Sequence, residues 1–457
     1  MGGGFLIKAF GNDTCPHGSG EWAVHNVFTE YLRHGLVKWH RTFVSHLFSK
    51  CNGDFKHSNS KWETNCLSKK KYQLFKKQTF PKPVFEEIVM IISRTPFRIS
   101  FFGGGTDYPV WYRENEGAVL ATTIDKYCYI TCRYLPPFFE HKYRIVYSEM
   151  EVVKEISEIK HPSARATLQF MNITDGVEIH HDGDLPARTG LGSSSSFTVG
   201  LLHTLYALKG VMPTKTQLAQ DAINIEQNIL KENVGSQDQI LASFGGFNKI
   251  TFNADNSFHV NPIIVSNDKL QQLQNHLMFY FTGFSRYASD IAKSQIENTG
   301  NGNGRHELWI MRQMVDEAIT ILNNGKRDIV EFGKLLHESW KLKKSLSDRI
   351  TTPQIDMIYE SAMEAGAIGG KLIGAGGGGF ILIFAKPEDQ PKIKENLKGL
   401  LLVPFSFENY GSQIIVYQPE KQRVESREIR IQPHVLRLMV KLGQKELPQP
   451  AQPALCV

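Results

Sequence analysis

The chain has 457 residues, 41% hydrophobic and 21% charged, with a formal net charge of +6, an ordinary balance for a globular protein with room for two or three domains. No apolar run approaches the ~18 residues that a membrane span needs, the opening MGGGFLIKAF lacks the basic and long apolar regions of a secretory signal, and Leu6 stands where a myristoylation site requires Ser or Thr. Six scattered cysteines form no disulfide framework or zinc pattern, so a cytoplasmic protein with no membrane partner is expected.

The positive charge belongs to the ends. Residues 1–89 hold 13 Lys/Arg against 7 Asp/Glu and residues 419–457 hold 7 against 4, which leaves the body at −3. No nucleic-acid partner is expected for such a body. Residues 1–89 join a helical stretch without a clean apolar stripe to Lys-rich, unpatterned sequence. They read as a disordered extension, with a Lys-rich arm for RNA or a membrane surface as the other reading. The texture changes at Met90, where MIISRTPFRISFF opens as an apolar strand ending in Gly103–Gly105.

Strand-like segments continue through Tyr147. In YCYITCRYL the spacing of Cys128 and Cys132 puts both thiols on one strand face, which predicts buried cysteines. Apolar periodicity predicts helices over Phe197–Leu208 and over Lys215–Leu230, the second opening after Pro213 and Thr214. HLMFYFTGFSR reads as a strand ending in a turn. HELWIMRQMVDEAITILNN, IVEFGKLLHESWKLKKSL and IDMIYESAMEAGA read as helices, and GFILIFA as a buried strand. Strands first and helices interleaved later predict an α+β architecture. Residues 419–457 turn charged and then Pro-rich, and that tail is left unassigned.

Three glycine turns stand out. The first, PFRISFFGGGTDY, places Arg98 on a strand ahead of Gly103, Gly104, Gly105, Thr106, Asp107 and Tyr108. Glycines let backbone approach a ligand and Asp107 accepts hydrogen bonds from hydroxyls; a tight hairpin with a solvent-facing Asp is the plainer reading. The second, Pro186 through Thr189, Gly190, Leu191 and Gly192 to Ser193, Ser194, Ser195 and Ser196, runs into an apolar helix. Serines cap free amides there, and a helix N-terminus attracts anions; a flexible Gly/Ser loop is the alternative. The third, KLIGAGGGGFILIF, crowds Gly374 and Gly376–Gly379 before a buried strand. None matches G-x-x-x-x-G-K-[ST], and the third leads into a strand where a dinucleotide fingerprint needs a helix.

Between the second and third turns, Glu226 falls on a partly apolar helix face, where a carboxylate is costly unless it pairs or binds a metal. A rim salt bridge with a nearby lysine is the plain alternative. Asp238, shortly after Gly235, reads either as a functional carboxylate or as a helix cap.

P-x-R-x4-G-G-G-T-D-Y, P-x-x-T-G-L-G-S-S-S-S and a late G-A-G-G-G-G, in that order across about residues 90–418, resemble the GHMP small-molecule kinases. The resemblance implies a ribosomal protein S5 domain 2-like lobe over 90–262, which binds ATP, and a ferredoxin-like lobe over 263–418. It implies an ATP-dependent phosphotransferase acting on the hydroxyl of a small-molecule sugar phosphate. Pro186 and Thr189–Ser196 would wrap the ATP phosphates, and Ser194 foremost, with Ser193 next, would join Glu226 in holding Mg²⁺. Asp238 would take or position the attacking hydroxyl's proton, supported by Arg98. Gly104–Tyr108, Gly376 and Gly377 would face the sugar. Arg286 is the cation available to its phosphate, with Lys343 and Lys344 read either as further candidates or as solvated surface charge. These roles are what phosphoryl transfer demands. The resemblance leaves the oligomeric state open.

Overall fold

The computed structural model describes residues 90–418, apart from 137 and 285–287; the expectations for 1–89, for 419–457 and for Arg286 lie outside the described residues. Strand β1 (Met90–Phe102) is rich in β-branched and aromatic residues and is buried along most of its length. It pairs antiparallel with β2 (Gly117–Tyr134), and the register slips at Pro96/Phe97. A proline lacks the ladder N–H, so a bulge is where a strand tolerates one.

The long β2 carries two partners in succession. Its first half pairs with β6 (Phe247–Phe252) and its second with β5 (Val177–Gly183). With β3 (Tyr143–Val146), β4 (Met150–Val153), β7 (Phe258–Pro262), β12 (Phe407–Glu408) and β13 (Gln413–Tyr417) they make a nine-stranded sheet, in which β13 returns to pair with β1. A second sheet, all antiparallel, runs β11 (Leu401–Leu402), β8 (Leu277–Phe281), β10 (Phe380–Phe384), β9 (Gly369–Leu372).

The helices are α1 (Pro109–Tyr112), α2 (Pro162–Phe170), α3 (Ser193–Leu208), α4 (Lys215–Ile223) and α5 (Gln237–Phe244). They continue with α6 (Asn267–Asn275), α7 (Ala288–Gly300), α8 (Arg305–Asn323), α9 (Val330–Ser345), α10 (Pro353–Glu364) and α11 (Gln390–Asn396). Helix α3 packs on β1 and β2, and α4 and α5 pack on it. Helix α8 lies on β1 and β2, while α9 lies on α8, β9 and β1, so this pair joins the two sheets. Phe332 of α9 meets Phe101 and Phe102 of β1 edge-on at 5.5 and 5.1 Å and reaches Phe384 of β10 at 6.3 Å. One apolar core thus runs from the first sheet to the second. The architecture is α+β. Cys128 and Cys132 are buried free thiols, as their spacing predicts. Among the described residues no helix is long and apolar enough to cross a membrane.

Candidate active site

The first glycine turn is closed by its own threonine. Thr106 Oγ1 donates towards Gly103 O (2.8 Å) and Ala118 O (2.9 Å) and accepts from Ala118 N (3.0 Å). Its hydroxyl is spent on the turn, so Thr106 shapes this site without being free to touch a ligand. Asp107 is 2% exposed, against the solvent-facing hairpin alternative. Its Oδ1 accepts from Gly105 N at 2.9 Å, and its Oδ2 lies where a β-carbon on Gly235 would fall. Burial raises the Asp107 pKa, an effect that the Gly105 N–H opposes and the Asp238 charge reinforces. Tyr108 is also buried, and its phenol is pushed upward by burial first and by Asp107 next.

Asp238 sits in the first turn of α5 without capping it. Arg98 holds it in a fork: Nε to Oδ1 at 2.6 Å and Nη2 to Oδ2 at 2.8 Å. The remaining nitrogen, Nη1, donates to Gly190 O at 2.6 Å, and Arg98 N donates to Leu191 O at 3.2 Å. The Asp238 carboxylate also lies against Gly192, where a β-carbon would come within 3.2 Å of Oδ2. One arginine therefore ties the carboxylate to the second glycine turn, and planar bidentate pairing is the geometry that guanidinium alone supplies.

The second turn leads into α3 differently from the expectation. Its N-cap is Gly192 in the left-handed region (φ 75°), with no side-chain cap. The serines are the first turn of the helix itself, so the amides at this terminus are left to whatever lies in front of them. Thr189 Oγ1 donates to Pro186 O at 2.8 Å, which closes the approach to the turn. Ser193 Oγ accepts from Arg188 N, and Ser194 is exposed. Ser195 points inward, donating to Glu226 Oε2 at 2.8 Å, and Ser196 donates to Pro96 O at 3.0 Å. The serine that bonds Glu226 is Ser195, while Ser194, expected to join Glu226 on Mg²⁺, lies exposed one residue before it.

Among the described residues Glu226 has no lysine within salt-bridge distance. It is fully buried in a π-helical turn (Asn224–Ile229), an element often found at functional sites. Gln239 joins Ser195 on Oε2 and the Thr198 hydroxyl lies beside the carboxylate, while Oε1 is buried with no well-formed hydrogen bond. Burial pushes this carboxyl up to about 7, against the pull of its hydrogen bonds.

The third turn packs backbone to backbone on the second. A β-carbon on Gly374 would fall 2.4 Å from Gly190 Cα, and one on Gly379 would fall 2.2 Å from Thr189 O. Gly376 presses on the Ile350 backbone, and Gly377 N donates to Ile350 O at 2.9 Å. Both glycines, expected to face the sugar, are packed here on Ile350.

Residues 152–246 match the GHMP kinases N terminal domain and residues 318–400 match GHMP kinases C terminal. The chain thus carries the N-terminal and C-terminal domains of the GHMP kinases. It is 29% identical over 307 residues to the D-glycero-alpha-D-manno-heptose 7-phosphate kinase of Campylobacter jejuni, covering 65% of this chain and 90% of that one. It is 24% identical over 351 residues to the L-fucokinase/L-fucose-1-P guanylyltransferase of Bacteroides fragilis, covering 67% of this chain and 36% of that protein. Among solved structures, a D-glycero-D-manno-heptose 1-phosphate kinase from Bacteriodes thetaiotaomicron shares the fold, with TM-score 0.58, 23% identity, and coverage of 72% of this chain and all of that one.

This GHMP kinase is thus a phosphotransferase with an alcohol acceptor. Its Glu226 and the serine turn fit a magnesium ion. Mg²⁺ takes oxygen ligands and is usually bound through one or two carboxylates plus phosphates, and a dry carboxylate oxygen without a well-formed hydrogen bond is a group that a cation would satisfy. Two residues emerge that the sequence reading misplaced or missed. Lys343, read with Lys344 as a cation for the sugar's phosphate or as surface charge, is buried against the third turn; Lys371 is buried beside the first. Lys344 instead pairs with Asp356 at 3.1 Å.

Proposed function

We propose that this kinase transfers the γ-phosphoryl group of ATP to the anomeric O1 of D-glycero-D-manno-heptose 7-phosphate, giving the 1,7-bisphosphate. The observation that carries the reading is the Arg98–Asp238 fork fastened to Gly190, with Asp107 adjacent through the Gly235–Asp238 segment. It sets an acceptor for the hydroxyl proton against a glycine turn and an open helix N-terminus, the two things an in-line attack on a phosphate ester requires.

In this reading Gly190–Ser196 receive the ATP phosphates, and Ser195, Ser194 and Glu226 hold Mg²⁺, which supplies neutralisation of phosphate charge. Asp238 takes or orients the proton of the attacking hydroxyl, and Arg98 keeps it aimed. Gly104, Asp107 and Tyr108 bound the sugar, and Arg286 grips the distal phosphate. The heptose assignment is supported by the Campylobacter jejuni relative and by the segments Phe101–Tyr112 and Leu277–Ser289, which resemble heptose 7-phosphate kinases. A cytoplasmic location follows from soluble small substrates. The lobes divide near residue 262, with residues 1–89 and 419–457 outside the catalytic unit.

The test is transfer from labelled ATP to free heptose and to heptose 7-phosphate. Preference for the 7-phosphate by roughly 10-fold or more in kcat/KM, the scale of one charge-assisted hydrogen bond, is expected. Equal kcat/KM would remove the distal phosphate site. Preference for free fucose or galactose would move the substrate to a neutral sugar, as the L-fucokinase relative represents.

A further inference from the structure

Lys343 of α9 and Lys371 of β9 are 6% and 2% exposed. Neither has a carboxylate partner within salt-bridge distance among the described residues. Their protons go to backbone carbonyls: Lys343 Nζ to Leu372 O at 3.2 Å and Gly374 O at 2.5 Å, and Lys371 Nζ to Phe101 O at 2.9 Å. Burying an ammonium without a counter-charge is expensive, and apolar side chains of similar volume are commonly at least as stable in such places. Stability therefore does not explain this pair.

Where the carbonyls lie does. Phe101 is two residues before Gly103, at the root of the first glycine turn, and Gly374 opens the third. Gly374 in turn presses on Gly190, and Gly190 O receives Arg98 Nη1. A continuous path of contacts links Lys343, Gly374, Gly190, Arg98 and Asp238, while Lys371 crosses from the second sheet to the first. We infer that Lys343 and Lys371 are positioning residues, a cationic clamp that holds the first and third glycine turns against the phosphate-binding turn and so aims the Arg98–Asp238 pair. The clamp rests on the kinase reading given above.

The charges around Lys343 are Arg98 from β1, Asp107 from the first turn and Lys371 from β9, with the Trp340 ring of its own helix 5.9 Å away. Burial first, and Arg98 next, lower Lys343 to about 7, while Asp107 opposes them. Lys371 is held well below its usual range by burial, then by Lys343 and Arg98. As pH rises through about 7, Lys343 loses its proton and the clamp loses its charged hydrogen bonds. Stability moves the other way. With the folded pKa below the unfolded one, the folded state holds fewer protons above pH 7, so the Lys343 contribution to stability rises with pH. A merely structural lysine would not make activity fall where stability rises.

The experiment compares wild type, Lys343→Met and Lys343→Arg for kcat, KM for ATP and melting temperature between pH 6 and 9. Lys343→Met should melt at or above the wild-type temperature and lose about 10-fold or more in kcat, as misplacement of reacting groups does, with KM for ATP changed by less than about 3-fold. Wild-type kcat should decline above pH 7 and the decline should move to higher pH in Lys343→Arg, whose guanidinium does not titrate. Lys371→Met, read the same way, tests the clamp through Phe101. Met variants with wild-type kcat and pH profile would overturn the clamp and leave the kinase reading intact. A wild type that transfers phosphate from ATP to no sugar would overturn both.

Discussion

Glu226 has Ser195 and Gln239 on one oxygen and no well-formed hydrogen bond on the other, with Thr198 beside the carboxylate. The Mg²⁺ role predicts that Glu226→Gln raises the Mg²⁺ concentration needed for half-maximal rate, checked by titrating the metal at saturating ATP. Its melting temperature should hold or rise, because a buried charge is removed. A Mg²⁺ dependence that overlays wild type would end that assignment. Asp107→Asn should raise KM for the sugar while leaving KM for ATP within about 3-fold, since the side chain adjoins Gly235 and the first turn. Arg98, Asp238 and Glu226 were legible in the sequence because motif order places them. The choice among four adjacent serines was not, since only the phase of α3, about 100° per residue, decides that Ser195 faces Glu226. Lys343 was illegible for a similar reason. In the run KLKK nothing marks which lysine faces β9, and Lys344 one step on reaches Asp356.

The helices read from apolar periodicity lie where expected, with two differences that belong to the site. Helix α3 begins at Ser193, four residues before its apolar run, because Gly192 takes the left-handed conformation that lets the turn enter the helix directly. The helix after Pro213 changes to π geometry at Asn224, where Glu226 is carried inward. Strand β9, GGKL, went unseen because two glycines carry little strand preference. It exists through its pairing with β10 and because Gly369 lets α9 come close: a β-carbon there would lie 2.1 Å from Gly333 O. That approach also delivers Lys343 to Leu372. At this scale the contact between turns is testable. Gly190 has φ 80°, and its β-carbon would fall 2.4 Å from Ile373 O. Gly190→Ala should lose upwards of about 1 kcal/mol in stability, read as a lower melting temperature, and most of its kcat. Unchanged melting and activity would mean that the two turns are not locked.

Across the described residues, apolar packing joins two sheets, and both send a glycine turn to the same place. β13 returns to β1 with Tyr417 opposite Ile91, so both ends of the described region meet in one sheet. A chain of residues 90–418 alone is therefore expected to keep the melting temperature and kcat/KM of the full chain. Loss of soluble protein from that truncation would show that the flanking residues support the fold. The central claim is that these turns converge on a phosphoryl-transfer centre whose proton acceptor is Asp238. The most direct measurement is single-turnover transfer from ATP to the sugar by Asp238→Asn, beside the affinity of the same variant for a non-hydrolysable ATP analogue. A fall in rate of about 10²-fold or more, the scale of acid–base contributions, with nucleotide affinity within about 3-fold of wild type, is the predicted result. A variant that keeps more than about half the wild-type rate would contradict the account.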